Sequence, residues 1–160
     1  MKTQLICLMA ALLIMNITHG QRHLSLELGG SGGLASINYE TNLSKSEKIQ
    51  LHYRSAFSFA PIDRNNGNVL IFPQMIHLIY GKGMHKADLG AGLAPSFTTK
   101  LSGFYVRFPL SLGYRIQPRE KNYYVRIAYT PILSFLFDAQ WQHWAGITFA
   151  RQLTSNTPKK

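Results

Sequence analysis

The chain has 160 residues, 17 Lys and Arg against 7 Asp and Glu, and a formal net charge of +10 at pH 7. This length is enough for one domain and excludes two domains with substantial cores. The basic residues form no continuous run, which argues against nucleic acid as a partner. The single cysteine, Cys7, excludes a fold stapled by disulfides.

Residues 1–20 predict a cleaved secretory signal peptide. Lys2 gives a positive start, the stretch 5–17 is almost entirely apolar, and Thr18-His19-Gly20 offers a small-residue cleavage site. An uncleaved membrane anchor is the alternative, but the apolar stretch is shorter than the about 20 residues that a helical span requires. We therefore expect an exported chain that begins at Gln21.

Turn signals divide the rest of the chain into eight segments, each with apolar residues at alternate positions. This period of two is typical of β-strands with one apolar face. The apolar positions of the eight segments run over 24–28, 35–43, 49–59, 70–80, 87–97, 104–114, 123–135 and 141–153. We expect one β domain over 21–153, followed by a basic tail at 154–160.

The sixth segment indicates which face points outward. Its apolar positions are Phe104, Val106, Phe108, Leu110, Leu112 and Tyr114, and they alternate with Tyr105, Arg107, Pro109, Ser111, Gly113 and Arg115. The polar face of a soluble sheet usually carries lysine, whereas here we expect the lysines in turns or the tail, at Lys45, Lys48, Lys82, Lys86, Lys100, Lys121, Lys159 and Lys160. An apolar outside and a crowded polar inside predict an all-β fold, an eight-stranded antiparallel up-and-down transmembrane β-barrel.

The outward aromatic residues fall into two groups if the first strand starts in the periplasm. One group lies near the outer membrane surface and comprises Phe59, Phe72, Phe97, Phe104, Phe135 and Trp141. The other lies toward the periplasm and comprises Tyr39, Tyr53, Tyr80, Tyr114, Tyr123 and Phe149. Aromatic rings favour the headgroup depth on both sides of a bilayer, so these groups predict two aromatic belts. Simple clustering of aromatic residues beside turns is the alternative.

Four prolines fall within the predicted strands, at Pro73, Pro95, Pro109 and Pro131. Each removes one hydrogen-bond donor from the ladder, and a closed barrel has no free edge at which to hide that loss. We expect bulges or bends at these positions.

The inward positions carry charges of both signs. Charges in a narrow barrel lose most of their water, so acids and bases must pair. Arginine suits this role because its planar fork binds a carboxylate at two points. The predicted interior network comprises Glu27, Glu40, Arg54, Asp88, Arg107 and Arg126, with Arg115, His52, Asn38 and Gln50 on the same inward faces. An open solute channel is the alternative, but an eight-stranded interior is just wide enough to be filled by side chains.

No residue pattern indicates catalysis, a cofactor or a metal site. The histidines have no serine at a motif-like spacing, and they are scattered along a chain whose predicted mature part lacks cysteine. The stretch Gly29-Gly30-Ser31-Gly32-Gly33 lacks the following helix and lysine of a nucleotide loop, so it predicts a hairpin tip. We expect no enzyme activity, no cofactor and no metal.

Several short stretches resemble one group of proteins. They are 81–92 (GKGMHKADLGAG), 112–118 (LGYRIQP), 124–131 (YVRIAYTP), and Gly29-Gly30 followed by 36–40 (SINYE). In this order they resemble the small uncharacterised outer-membrane β-barrel proteins of Bacteroidota-type bacteria. The resemblance implies a location and a fold, and no activity. Gly146 and Phe149 also resemble part of the signal that the barrel insertion machinery reads.

We therefore expect a small barrel of the cell outer membrane, with a filled polar interior and a structural or interaction role. Its expected partners are outer-membrane lipid, the barrel insertion machinery and a larger envelope assembly. Two alternatives stay open. One is a lipid-modifying outer-membrane enzyme, and the other is a soluble periplasmic barrel that binds an apolar ligand inside.

Overall fold

The computed structural model describes residues 20–44, 46, 48–63, 67–99, 103–118, 120–135 and 140–153, without the side chains of 62 and 63. The predicted signal peptide, except Gly20, and the predicted tail at 154–160 lie outside the described residues. Lys45 and Lys100 lie outside them as well.

Strands account for most of the described chain. They are β1 (Arg22–Gly29), β2 (Ala35–Asn42), β3 (Ile49–Asp63), β4 (Gly67–Ile71), β5 (Gln74–Tyr80), β6 (His85–Thr98), β7 (Phe104–Ile116), β8 (Tyr123–Tyr129), β9 (Ile132–Ser134), β10 (Gln140–Gln142) and β11 (Ala145–Gln152). One 3-10 turn, Gly30–Gly32, separates β1 from β2. Within the described ranges, no helix has both the length and the apolar character needed to cross a membrane.

The strands close into a barrel of eight spans. Three spans consist of two short strands each, namely β4 with β5, β8 with β9, and β10 with β11. Each span pairs antiparallel with the next span along the chain, and β1 also pairs with β11 from His23 opposite Gln152 to Gly29 opposite Gly146. The predicted all-β, antiparallel, up-and-down architecture with eight spans is confirmed.

The two ends of the barrel are distinguished by their connections. The N-terminal rim is the end where β1 begins, and it carries the connections 43–48, 81–84 and 117–122. The opposite rim carries the connections 30–34, 64–66, 99–103 and 135–139. This alternation of ends follows directly from the up-and-down order of the spans.

Burial follows the period of two along most of the barrel wall, with apolar residues outside, whereas β10 is exposed at all three of its positions. Leu112 is 60% exposed and Ile127 is 61% exposed, whereas the neighbouring Arg126 is 1% exposed. Arg54 and Arg115 are among the largest fully buried side chains. The barrel thus inverts the usual arrangement of a soluble protein, in which apolar side chains fill the core.

The lumen also has an apolar part, which the sequence pattern did not predict. Val69, Ile71 and Ala94 form a buried cluster, and the half-buried Ala60 and Tyr105 pack against it. Met75, Ile79 and Ile132 are buried as well. Polar and charged groups therefore occupy only part of the interior.

The expectation of bulges at the four prolines is wrong, because the strand register is the same on both sides of each one. Pro73, Pro95 and Pro131 each still accept a ladder hydrogen bond, from the amides of Ala56, Phe72 and Leu110 at 2.8, 2.9 and 2.8 Å. The β6–β7 ladder skips the positions of Phe108 and Pro109 and resumes in the same register. The missing hydrogen-bond donor of a proline therefore leaves a gap in the ladder, and neither strand contains an extra residue there. The register irregularity that does occur lies between Pro61 and Asp63.

The expectation that the lysines lie in turns or the tail is wrong for Lys86. Lys86 belongs to β6, on the same face as the buried Asp88, and it lies close to the N-terminal rim. Its ammonium group donates to Gln50 Oε1 and to Gln117 Oε1, both at 3.2 Å. A flexible lysine can occupy an inward position here because the rim supplies amide oxygens as partners.

The close packing of the lumen gives a first prediction. A Cβ added at Gly90 would lie 2.7 Å from Cε1 and 2.8 Å from Nδ1 of His77, and the hydrogen bond from His77 to Asp88 holds that ring in place. We expect Gly90→Ala to lower the free energy of unfolding by about 1–3 kcal/mol, the usual effect of overpacking. Urea unfolding of the refolded barrel measures this change. Ala91→Val, which adds atoms to the exposed neighbouring position, is the matched control and should change stability little.

Candidate functional site

The buried charges of the lumen form one connected cluster, which we call the lumen network. Its ionised members are three carboxylates and three guanidinium groups, joined by ion pairs. They are Glu27, Glu40, Asp88, Arg54, Arg115 and Arg126, and each of these side chains is at most 1% exposed. The formal charges of these six groups cancel. Charge balance is what allows so many ionised groups to be withdrawn from water.

Arg115 lies at the centre of the lumen network. Its guanidinium binds Glu40 through two hydrogen bonds, Nη1 to Oε1 at 2.7 Å and Nη2 to Oε2 at 3.1 Å. The same group donates to Asp88 Oδ2 from Nε at 3.2 Å and from Nη2 at 2.8 Å. One arginine therefore holds two carboxylates that would otherwise repel each other, using the planar fork that lysine lacks.

Arg126 and Arg54 bind the third carboxylate, Glu27. Arg126 donates from Nη2 to Glu27 Oε1 at 2.8 Å, and Arg54 Nη2 lies 2.9 Å from Glu27 Oε2. Arg126 Nη1 also donates to Ser111 at 3.1 Å and lies 3.5 Å from Asp88 Oδ1. Arg126 thereby connects the Glu27 side of the lumen network to the Asp88 side.

Imidazole, phenol and hydroxyl side chains complete the hydrogen bonding of the carboxylates. His52 Nδ1 lies 2.7 Å from Glu40 Oε1, and His77 Nδ1 lies 2.6 Å from Asp88 Oδ1. The hydroxyl of Tyr124 donates to Glu40 Oε2 at 2.9 Å, and its ring lies under the Arg115 guanidinium at 3.9 Å. Thr148 donates to Glu27 Oε1 at 3.3 Å. With His77 on β5 and Thr148 on β11, the lumen network contacts side chains from all eight spans.

The 3-10 turn Gly30–Gly32 folds into the lumen beside this network. All three of its residues are buried, and the turn contacts β2, β3, β7 and β11. Ser58 donates to the carbonyl of Gly32 at 2.7 Å, and Ser31 lies 3.4 Å from Glu27 Oε2. A side chain at Gly32 would collide with Ser36 and Ser58, so glycine is needed for this close packing. The predicted flexible hairpin tip is therefore a folded-in segment that fills the lumen at the opposite rim.

The structure brings five of the six predicted network residues together and leaves Arg107 apart. Arg107 donates to Ser96 Oγ at 3.3 Å and its guanidinium lies 5.6 Å from the Tyr105 ring centre. Its neighbours across the strands are Ala94 and Ser134, so no carboxylate stands opposite it in the described chain. Arg115 was placed on the inward face by its spacing but was not assigned to the network. Periodicity gives the face of a residue and says nothing of its height in the barrel, so it could not distinguish these two arginines.

The predicted aromatic residues all lie on the outward-facing series of their strands. Near the opposite rim, Phe97 contacts Phe72 and Phe104, with ring centres 6.0 and 5.0 Å apart. Phe135 contacts Phe108 at 5.6 Å. The members of the other predicted group are exposed or half-buried, and they are Tyr39, Tyr53, Tyr80, Tyr114, Tyr123 and Phe149.

A second cluster in the lumen was missed by the sequence analysis. His23, Glu40 and His52 are buried, and one ligand atom from each lies within 4.8 Å of the others. His23 stands directly opposite Glu40 in the β1–β2 ladder, and His52 lies on the adjacent strand β3. The expectation of no metal site rested on histidines that are scattered in sequence, but strand pairing places two of them side by side. Alternation along β1 and β3 was the available signal, because both histidines occupy inward positions.

The comparisons with known proteins bear on the fold. No protein-family model matches the chain, and no curated protein matches it. Among solved structures, the N-terminal β-barrel domain of Pseudomonas aeruginosa OprF matches with a TM-score of 0.55 and 10% sequence identity. The match covers 82% of this chain and 97% of that domain. At this identity the likeness extends to the fold, the same small closed barrel.

The different surroundings of Arg115 and Arg107 give a second prediction. Arg115→Leu leaves Glu40 without its arginine partner and Asp88 with only the longer contact to Arg126, and we expect it to lower the free energy of unfolding by about 3–5 kcal/mol. Arg107→Leu removes only a hydrogen bond to a hydroxyl and a ring contact, and we expect a loss of about 1 kcal/mol. Urea unfolding of both refolded variants in the same detergent measures the difference. Equal losses would show that Arg115 has no special role in the lumen.

Proposed function

We propose that this protein is a small outer-membrane β-barrel with a filled lumen and a structural or interaction role. The observation that supports it is the inverted burial, with large apolar residues exposed around the barrel and arginine and carboxylate groups inside. In water such a surface would aggregate, whereas lipid matches it. The fold shared with the OprF barrel domain supports the same proposal.

Polar groups on the outside support a lipid environment as well, because their hydrogen bonds are made within the barrel surface. The hydroxyl of Tyr53 donates to Gln74 Oε1, and Gln74 Nε2 donates to the carbonyl of Phe72 at 3.4 Å. The hydroxyl of Tyr114 is 2.6 Å from His85 Nδ1. At the boundary between headgroups and hydrocarbon, where water is scarce, such internal partners satisfy these polar groups.

The two aromatic groups are consistent with the proposed membrane position. Rings at both rims would lie at the headgroup depth, and the apolar side chains between them would contact acyl chains. Outer-membrane lipid, the barrel insertion machinery and a larger envelope assembly are the partners that this proposal implies. The exposed turns with Lys48, Lys82 and Lys121 at the N-terminal rim fit contact with anionic groups.

A structural role fits the lumen better than transport or catalysis. The lumen network and the Gly30–Gly32 turn occupy the space through which a solute would pass. The hydroxyl partners of the lumen network, Ser111, Ser31 and Thr148, bind charged groups and not a histidine that could activate them as nucleophiles. We therefore propose that the barrel functions through contacts made by its outer surface.

The membrane position gives a third prediction. Leu112 is 60% exposed on the outside of β7, and Leu112→Arg would place a charge in hydrocarbon. We expect the variant to lose about 1–3 kcal/mol of folding free energy in phospholipid vesicles, because Leu112 lies between the middle of β7 and the belt residue Tyr114, and the cost of a charge falls from the bilayer midplane to the interface. Folding into vesicles, followed by heat-modifiability on a gel, measures the change. Gln140→Arg, at an exposed position close to the opposite rim, is the matched control.

Two outcomes would contradict the membrane position. Leu112→Arg would be harmless in a soluble barrel, since an exposed arginine costs little in water. Release of the protein from cells by osmotic shock without detergent would contradict it as well.

The filled lumen gives a fourth prediction. Because charged and neutral side chains from all eight spans meet inside, we expect no steady ion conductance when the purified barrel is inserted into planar bilayers. Single-channel recording measures this. Steady openings of nanosiemens size would mean that the lumen is open, and they would refute the filled interior while leaving the membrane position intact.

A further inference from the structure

Three neighbouring strands place two imidazoles and a carboxylate together near the N-terminal rim. His23 is the second residue of β1, Glu40 stands opposite it on β2, and His52 follows on β3. One ligand atom of each residue lies within 4.8 Å of the others. All three residues are at most 1% exposed. We refer to them as the histidine site.

Three of the four ring nitrogens of this site have no partner in the lumen network. Neither ring nitrogen of His23 has a hydrogen-bond partner among the described residues. Nε2 of His52 has no partner among them either. A buried nitrogen without a partner is costly, so three of them in one place mark a position that can accept a ligand. His77, by comparison, has only Nε2 without a partner and lies outside the histidine site.

Glu40 gives the site the second feature of a metal centre. Its Oε1 lies 2.7 Å from His52 Nδ1, and the same carboxylate is fixed by Arg115 and Tyr124. A carboxylate that accepts a hydrogen bond from one ring nitrogen fixes the tautomer of the imidazole. The other ring nitrogen then has a lone pair that can bind a metal ion. This arrangement orients metal-binding histidines in many proteins and raises their basicity.

We propose that His23 and His52 bind one divalent transition-metal ion of the zinc class, with Glu40 orienting His52 and supplying negative charge beside the ion. Imidazole suits zinc, nickel and copper, whereas calcium and magnesium require sets of oxygen ligands. Glu40 is the single carboxylate of the site and already binds Arg115, so the site lacks the oxygen ligands that hard cations need. The histidine site is therefore expected to bind zinc-class ions in preference to calcium and magnesium, because it offers nitrogen ligands and few oxygen ligands. The inference concerns the lumen and holds whichever membrane surrounds the barrel.

The test is a titration of the chelator-treated, untagged mature chain, folded in detergent. Calorimetry with ZnCl2 should show one ion per chain, and MgCl2 under the same conditions should show none. In parallel, the imidazole resonances of His23 and His52 should shift on addition of zinc, while those of His77 and of the exposed His85 and His143 stay unchanged. This second measurement needs no variant, so it holds even if substitutions impair folding.

Variants then assign the ligands. His23→Asn should weaken zinc binding by more than the roughly 10–100-fold that loss of an outer-sphere partner costs, and Glu40→Gln should fall within that range. His77→Asn is the matched control, because it removes another buried histidine, which pairs with Asp88 outside the histidine site, and it should leave zinc affinity unchanged. Each variant is first shown to fold by heat-modifiability.

Three results would overturn the proposal. The first is no zinc binding to the folded chain, which would leave water as the occupant of the site. The second is equal affinity of the His23→Asn variant and the unaltered chain. The third is a zinc-dependent shift confined to His85 or His143, which would place any bound ion on the outer surface. None of these results bears on the membrane position, which Leu112→Arg tests separately.

Discussion

The bidentate pairing of Arg115 with Glu40, extended to Asp88, is the interaction on which the interior depends. It joins residues 75 positions apart in the chain and lies where β2 faces the neighbouring strands β6 and β7 across the lumen. Around it, Arg126 and Arg54 neutralise Glu27, and hydroxyl and imidazole groups fill the remaining positions on the carboxylates. A lumen of this width cannot retain enough water to solvate these charges. Each fully buried ion must therefore find its partner among the other side chains that point into the lumen.

In a soluble protein one core both buries the apolar side chains and provides the specific contacts of the fold. In this barrel the apolar side chains lie outside and the specific polar contacts lie inside. In the proposed lipid environment the outward apolar side chains gain little from being removed from their surroundings, so the contacts inside the lumen contribute most to the specificity of the fold. Pairing between spans is set by backbone hydrogen bonds, and a slip of one residue would turn the inward side chains of the slipped span to the outside of the barrel. The lumen network thus fixes register as well as filling space, since its partners meet in one alignment of the eight spans.

The sequence predicted the architecture because the alternation of apolar and polar positions persists through every span. It also placed Arg54, Arg115 and Arg126 correctly on the inward face. It could not say that Arg115 meets two carboxylates while Arg107 meets a serine, because height in a barrel depends on the stagger between strands. The same limit concealed His23 beside His52. The prolines show a different limit, since removing a donor predicts a weak point but not whether the ladder shifts there.

The folded-in turn Gly30–Gly32 links two properties of this barrel. The turn continues directly from β1, the strand that closes the wall by pairing with β11, and it contacts β11 and the distant β7. Gly146 on β11 lies against Gly30, where an added Cβ would come within 2.9 Å of the Gly30 nitrogen. The turn that fills the lumen and the pairing that closes the wall therefore both involve β1. A change that separates β1 from β11 would also displace the turn from the lumen at the opposite rim, so closure of the wall and blockage of the lumen depend on each other.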